Sequence, residues 1–393
     1  MTRCLPTLYF TVAYASLSLA FAVVGVAPRA AGGFFYHARL LGIVHLITIG
    51  WITCVILGCL YAAVPSRLGF ERPIRWTDCC AFVSLLIGLI GMVAHFWIEE
   101  YGGMAWSGLM VLCGIAFVVR RVWSGVWRST HPARLPLLLG MANILAAGSV
   151  GVLLGFDKVH HFLPGYVISN VLAHAHLAAL GWASMMTLGL ASSLEPRANE
   201  AATRWMILAF EGSSLALFGS LLTGSRATGL CAVAAAITLV LAAIPFSPRN
   251  GGAASWHMTA ALASLVLAAA TGIVLAVLGA SDLTMRLALV YGAAGLVGFL
   301  AQALLAVLLR LEPGIGASPL TFSLYSLGLT ALVTAMFVGS DRALAWGAWL
   351  TVLGLLLPIV PPVAARLAAL SWPHAGRHRR GSADQFSFSQ GRS

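Results

Sequence analysis

Apolar runs of about 20 residues follow one another along nearly the whole chain, separated by short gaps where Gly, Pro, Arg and Lys collect. Each run is long enough to cross a hydrocarbon layer of roughly 30 Å as a helix, the form in which a lone segment satisfies its own backbone in lipid. Read with those gaps as punctuation, the pattern predicts twelve spans, over 8–28, 40–64, 76–97, 104–121, 134–156, 167–194, 204–224, 227–247, 254–280, 284–309, 319–339 and 343–367. Composition agrees: of 393 residues 60% are hydrophobic and 9% charged, against about 25% charged in a soluble domain. Soluble, disordered and coiled-coil classes are excluded, and an all-α membrane protein with the lipid bilayer as its partner is expected.

The formal charge of +11 raises the question of nucleic acid, but the arginines lie in the gaps rather than on one amphipathic face, so no nucleic-acid partner is expected. Their distribution sets a topology. Six basic residues, Arg29, Arg39, Lys158, Arg226, Arg286 and Arg342, fall on one side, leaving 17 of the 23 on the other. By the positive-inside rule the richer side, with both chain ends, is cytoplasmic, as in a bacterial inner membrane. Arg3, the long apolar stretch and the small residues before Pro28 also describe a signal peptide, whose removal would leave eleven spans in the same orientation. The seven cysteines form no CxxC and no paired spacing in a loop, so neither a disulfide framework nor a zinc finger is indicated.

A repeat runs through the spans. HLITIGWITCVILGCLYAAVP, from His45 to Pro65, aligns without gaps with HLAALGWASMMTLGLASSLEP, from His176 to Pro196. The same frame laid on the tenth span keeps Gly298, the aromatic Phe299, Leu305 and Glu312-Pro313, with Ala293 in place of the histidine. Three pseudo-repeats of four helices are therefore expected, at about 1–130, 131–250 and 251–370, followed by a basic, Ser-rich cytoplasmic tail over 371–393.

Most of the chemistry-bearing residues fall at the outer side. His37, His45, His95, His160, His161, His174 and His176 lie in the outer third of a span or in an outer loop, with Asp157, Glu99 and Glu100. An ionisable ring in a membrane needs a partner, a cavity or a metal. His45 and His176 share the repeat register, so they are the candidate pair for holding a heme iron or copper; the alternative is one interhelical hydrogen bond per ring. His174, about 200° around the helix from His176, faces a neighbouring helix or a second site, where it is a further metal-ligand candidate. His37 sits two turns above His45 on the same approach, and His95 and Glu99 share a face at i, i+4 if the third span continues that far, making all three further metal-ligand candidates. Met185, Met186, Cys54 and Cys59 offer soft ligands or ordinary packing. Glu211 is the one acid well inside a span, paired with Asn143 or Gln302 if not simply protonated.

A second-of-four helix carrying H-x4-G-[WF], within twelve spans arranged as three fours, resembles the catalytic subunit of the heme-copper oxidases, and in size their non-respiratory, NnrS-like relatives. That resemblance implies heme b, copper or both as cofactors, His45 at the position of a low-spin heme ligand, and metal or heme handling or a nitric-oxide response as the role. A periplasmic electron or metal donor goes with it. The tenth and seventh spans lack the histidines of a binuclear centre, which disfavours respiratory oxygen reduction and leaves the enzyme question open. A secondary transporter, or a structural or assembly protein without cofactor, are the alternatives.

Overall fold

The computed structural model describes residues 4–194, 200–246, 252–279, 281–311 and 318–357. Eleven helices among them are long and apolar enough to span a bilayer: α1 Leu5–Val26, α2 Ala38–Ala62, α3 Trp76–Ile98, α4 Tyr101–Arg128, α5 Arg134–His160, α6 Val167–Leu194, α7 Glu200–Thr223, α8 Thr228–Phe246, α9 Ala253–Val277, α10 Asp282–Leu311 and α11 Pro319–Val338. A twelfth, α12, covers Asp341–Leu356; the rest of the expected twelfth span, the tail and the closing prolines Pro196 and Pro313 lie outside the described residues. No strand occurs among the described residues. The chain is a multi-pass, all-helical membrane protein.

Three helices form the centre. In α2, α6 and α10 between 72% and 78% of the most apolar stretch is buried, against 22% to 44% in the other spans. A membrane helix gains nothing from hiding leucine from lipid, so what distinguishes these three is close helix–helix packing. α2, α6 and α10 touch one another, and the remaining helices surround them, with α1 packed on α12 to close the ring. Arg29, after α1, pairs with Asp341 at the start of α12 at 3.2 Å.

Each central helix is π-helical over eight residues: Leu46–Thr53 in α2, Leu177–Ser184 in α6 and Ala294–Ala301 in α10. A π-helix winds with i→i+5 hydrogen bonds and normally survives for only a single turn, so three long runs need support from their neighbours. Glycine supplies it. A Cβ on Gly50 would strike Ser16 of α1, one on Gly181 would strike Asn143 of α5, and one on Gly298 would strike Ser264 of α9. Beside each glycine stands a buried aromatic, Trp51, Trp182 or Phe299. The Trp182 indole donates to Thr53 Oγ1 at 3.1 Å, tying α6 to α2.

The arginine-rich end is fastened differently. Asp78, with a fully buried side chain, accepts from the Tyr61 hydroxyl at 3.0 Å, the Arg75 amide at 2.7 Å and Arg121 Nε at 3.3 Å, and lies 3.5 Å from Arg72. One carboxylate thus joins α2, α3, α4 and the loop between α2 and α3.

Candidate functional site

At the opposite end the three central helices leave a cavity of about 1170 Å³, with His45, His174, His176 and Tyr291 in its wall. Drug-sized sites run to about 300–1,000 Å³, so this one is large. Its floor includes Thr53, Trp182 and Phe299 of the π segments, and it extends between α8, α9 and α10 along small residues such as Gly229, Ala232, Ala236 and Gly272. Apart from the imidazoles, a few hydroxyls, Asp282 and Lys158, its wall is largely hydrocarbon. Lys158, at the last turn of α5, lines it too, its ammonium 4.5 Å from the Tyr36 ring centre and 4.8 Å from that of Tyr101. The Tyr36 hydroxyl, in the loop before α2, is pushed above the usual phenol range by burial first and by Asp157 second.

The three histidines share one tautomer. His45 Nδ1 is 2.7 Å from the Leu41 carbonyl, His176 Nδ1 is 2.7 Å from the Leu172 carbonyl and His174 Nδ1 is 2.8 Å from the Ala147 carbonyl of α5. A carbonyl only accepts, so each Nδ1 carries the proton and each Nε2 presents a lone pair. Gly151 makes the His174 contact possible, since a Cβ there would lie 2.7 Å from the ring. The His176 lone pair is taken: the Tyr291 hydroxyl of α10 lies 3.2 Å from its Nε2, with the rings stacked at 6.0 Å. No protein group bonds Nε2 of His45 or His174 among the described residues.

The other candidates have local work. His37 caps the start of α2, its Nδ1 accepting from the Leu40 amide at 3.4 Å while its Nε2 donates to the Gly32 carbonyl at 3.2 Å; it does not line the cavity. His95 and Glu99 do not meet, because α3 ends at Ile98 and Glu99 turns left-handed at φ 59°. Glu100 comes within 3.4 Å of His95 instead, while accepting from Gly102 and Gly103 at the start of α4. Asp157 accepts from the Leu163 amide at 2.6 Å. Glu211 is bonded by Asn143, the first of its two expected partners, whereas Gln302 lies 3.1 Å from His257. Tyr291 went unnoticed in the sequence, although the repeat frame puts it in the register of His174.

No family model matches the chain. Among curated proteins it is similar to two undecaprenyl-diphosphatases of Rhizobium etli, at 26% and 24% identity over 220 residues, covering 50% of this chain and 79% of each relative. A third, from Rhizobium johnstonii, is 26% identical over 192 residues, 46% of this chain and 70% of its own. These matches point to a family other than the heme-copper oxidases and correct the heme and copper reading of His45 and His176. The geometry agrees with the correction. Among the described residues no three His, Cys, Asp or Glu side chains gather where a metal ion could be held, and the His176 lone pair faces a hydroxyl. The electron or metal donor was expected from that resemblance alone, and the comparisons do not bear on it. The relatives favour neither a transporter nor a structural protein.

Proposed function

We propose that this protein is a membrane lipid hydrolase acting on a polyprenyl diphosphate. The observation that carries the reading is the large apolar cavity with imidazole lone pairs in its wall; the name borne by the similar Rhizobium proteins supplies the substrate class. The branch between α8, α9 and α10 suits an isoprenoid tail, which enters from the bilayer by displacing nothing polar. Lys158 is the cation nearest the cavity mouth for the diphosphate, its two aromatic contacts leaving N–H groups free for phosphate oxygens. His45 or His174, held by its Nδ1–H, has the lone pair a general base needs. Its Nε2 takes a proton from water as the water oxygen bonds the terminal phosphorus and the bridging P–O bond breaks, leaving a polyprenyl monophosphate and inorganic phosphate.

The same reading includes an orientation and an architecture. The arginine end is cytoplasmic, which puts the cavity mouth at the outer face. The chain is built of three four-helix units. Support comes from contacts that recur in register: Gly88 of α3 backs onto the Ser107 carbonyl and Val111 of α4, as Gly328 of α11 backs onto the Gly347 carbonyl and Thr351 of α12.

The test is release of inorganic phosphate from a polyprenyl diphosphate by the purified protein in lipid nanodiscs. His45→Ala and His174→Ala are expected to differ, the one acting as base losing about 100-fold or more in rate. Wild-type protein that releases no phosphate and shows no saturable binding of the lipid would end the reading.

A further inference from the structure

Glu211 sits in the middle of α7, and both of its carboxylate oxygens lie 3.0 Å from Asn143 Nδ2 of α5. The same nitrogen lies 2.9 Å from the Gly181 carbonyl in the π segment of α6. An amide nitrogen carries two hydrogens, and here three oxygens compete for them. Ser214, one turn along the same face of α7, is 2% exposed, and its hydroxyl has no hydrogen-bond partner among the described residues. The Glu211 carboxylate therefore has one neutral amide as its hydrogen-bond donor among the described residues and no counter-charge.

The helices packed on α7 bring no cation to it. Of the titratable and charged groups on α5, Arg134 bonds the Ser129 carbonyl, Asp157 the Leu163 amide and Lys158 faces Tyr36 and Tyr101, while His160 stands exposed at the last turn. On α6, His174 is bonded to Ala147, and His176 to Leu172 and Tyr291. Cys231 is the one such group on α8. On α7 itself, Glu200 and Arg204 lie two turns or more away toward the arginine end. An ionised carboxylate held by one neutral amide inside a membrane is penalised by desolvation, a penalty that a bound proton removes.

We propose that Glu211 is a proton-binding site within the membrane, and that Asn143 links its occupancy to the π segment five residues below His176. A proton on the carboxyl removes its charge and weakens its pull on the Asn143 amide, leaving that amide more firmly on the Gly181 carbonyl. Loss of the proton draws the amide back to the carboxylate and loosens its hold on the π segment. This inference stands apart from the hydrolase reading, because neither the lipid nor phosphate release enters its test.

Infrared difference spectra of the purified protein, wild type against Glu211→Gln at neutral pH, test the site. The expected result is a carboxylic-acid C=O band in the wild type that shifts in D2O and is missing from the variant. Loss of carboxylate bands instead would overturn the proposal, as would sodium binding by the wild type that Glu211→Gln abolishes. Asn143→Ala tests the link and covers the case where Glu211→Gln does not fold. In that variant the acid band should move and amide exchange over residues 177–184 should quicken about 10-fold; unchanged exchange would refute the coupling.

Discussion

At the scale of single residues, Tyr291 decides which imidazole is available. Its hydroxyl occupies the His176 lone pair, so His45 and His174 are the rings left open to the cavity. Tyr291→Phe should cost about 0.5–1.5 kcal/mol, the net worth of one buried hydrogen bond, and give His176 an open Nε2 that histidine nitrogen NMR would report as a shift at one ring. No change at His176 would mean the contact is not a hydrogen bond. His131 offers a pH test outside the membrane. In the turn between α4 and α5, its Nδ1 accepts from the Ala133 amide at 3.1 Å, and its pKa lies below the usual histidine value because burial disfavours the cation, with Glu200 opposing. A histidine depressed on folding binds fewer protons folded than unfolded. Its stabilising effect is complete above the ordinary value of about 6.5 and fades as pH falls toward the lowered one. The thermal midpoint should therefore drop between pH 7.5 and 5.5, and less so in His131→Asn; equal drops would remove His131 from the account.

At the scale of helices, the two ends of the bundle are held by different physics. The histidine end relies on close packing around glycines, whereas the arginine end rests on one buried carboxylate among Arg72, Arg121 and Tyr61. Removing one partner from a buried pair leaves a charge uncompensated, at about 3–5 kcal/mol. Asp78→Ala should lose that much in unfolding titrations and free the loop between α2 and α3 to limited proteolysis, while a variant as stable as wild type would show that water satisfies both arginines. Helix positions were legible in the sequence because lipid enforces them: the apolar runs fall close to the observed spans, with the largest difference at α4, which continues to Arg128 past the expected end at 121. The Glu211–Asn143 pair was legible for the same reason, since polar residues within spans are so few. The π segments were not. Their hydrogen-bond shift is set by neighbouring helices pressing on Gly50, Gly181 and Gly298, which leaves only a recurring glycine and aromatic in the sequence. The supposed His95–Glu99 pair failed at a helix end, where a left-handed residue moved the next acid, Glu100, into place.

At the scale of the whole molecule, a threefold reading explains an otherwise odd group. The Trp51 indole is fully buried, and its N–H has no partner among the described residues. Its counterpart in the repeat frame, Trp182, donates across to Thr53 of α2. Trp51 packs edge-on against Tyr14 of α1, with 5.1 Å between ring centres; a threefold arrangement would aim its N–H at α10, where the register of Thr53 is held by Ala301 and offers no hydroxyl. Under a three-unit reading the missing acceptor follows from Ala301 standing in the register of Thr53, and Phe299, in the register of Trp51 and Trp182, dispenses with the donor. Restoring the acceptor is then a test of the three-unit architecture itself. Ala301→Ser should stabilise the protein by about 0.5–1.5 kcal/mol, read as a higher thermal midpoint. The gain should vanish in a Trp51→Phe background, a double-mutant cycle that isolates the pair. Ala303→Ser, at a neighbouring position equally buried at 1% exposure, should instead destabilise, because its hydroxyl meets no waiting donor. A gain that persists without the Trp51 indole, or none at all, would show that α10 does not stand to α2 as α2 stands to α6.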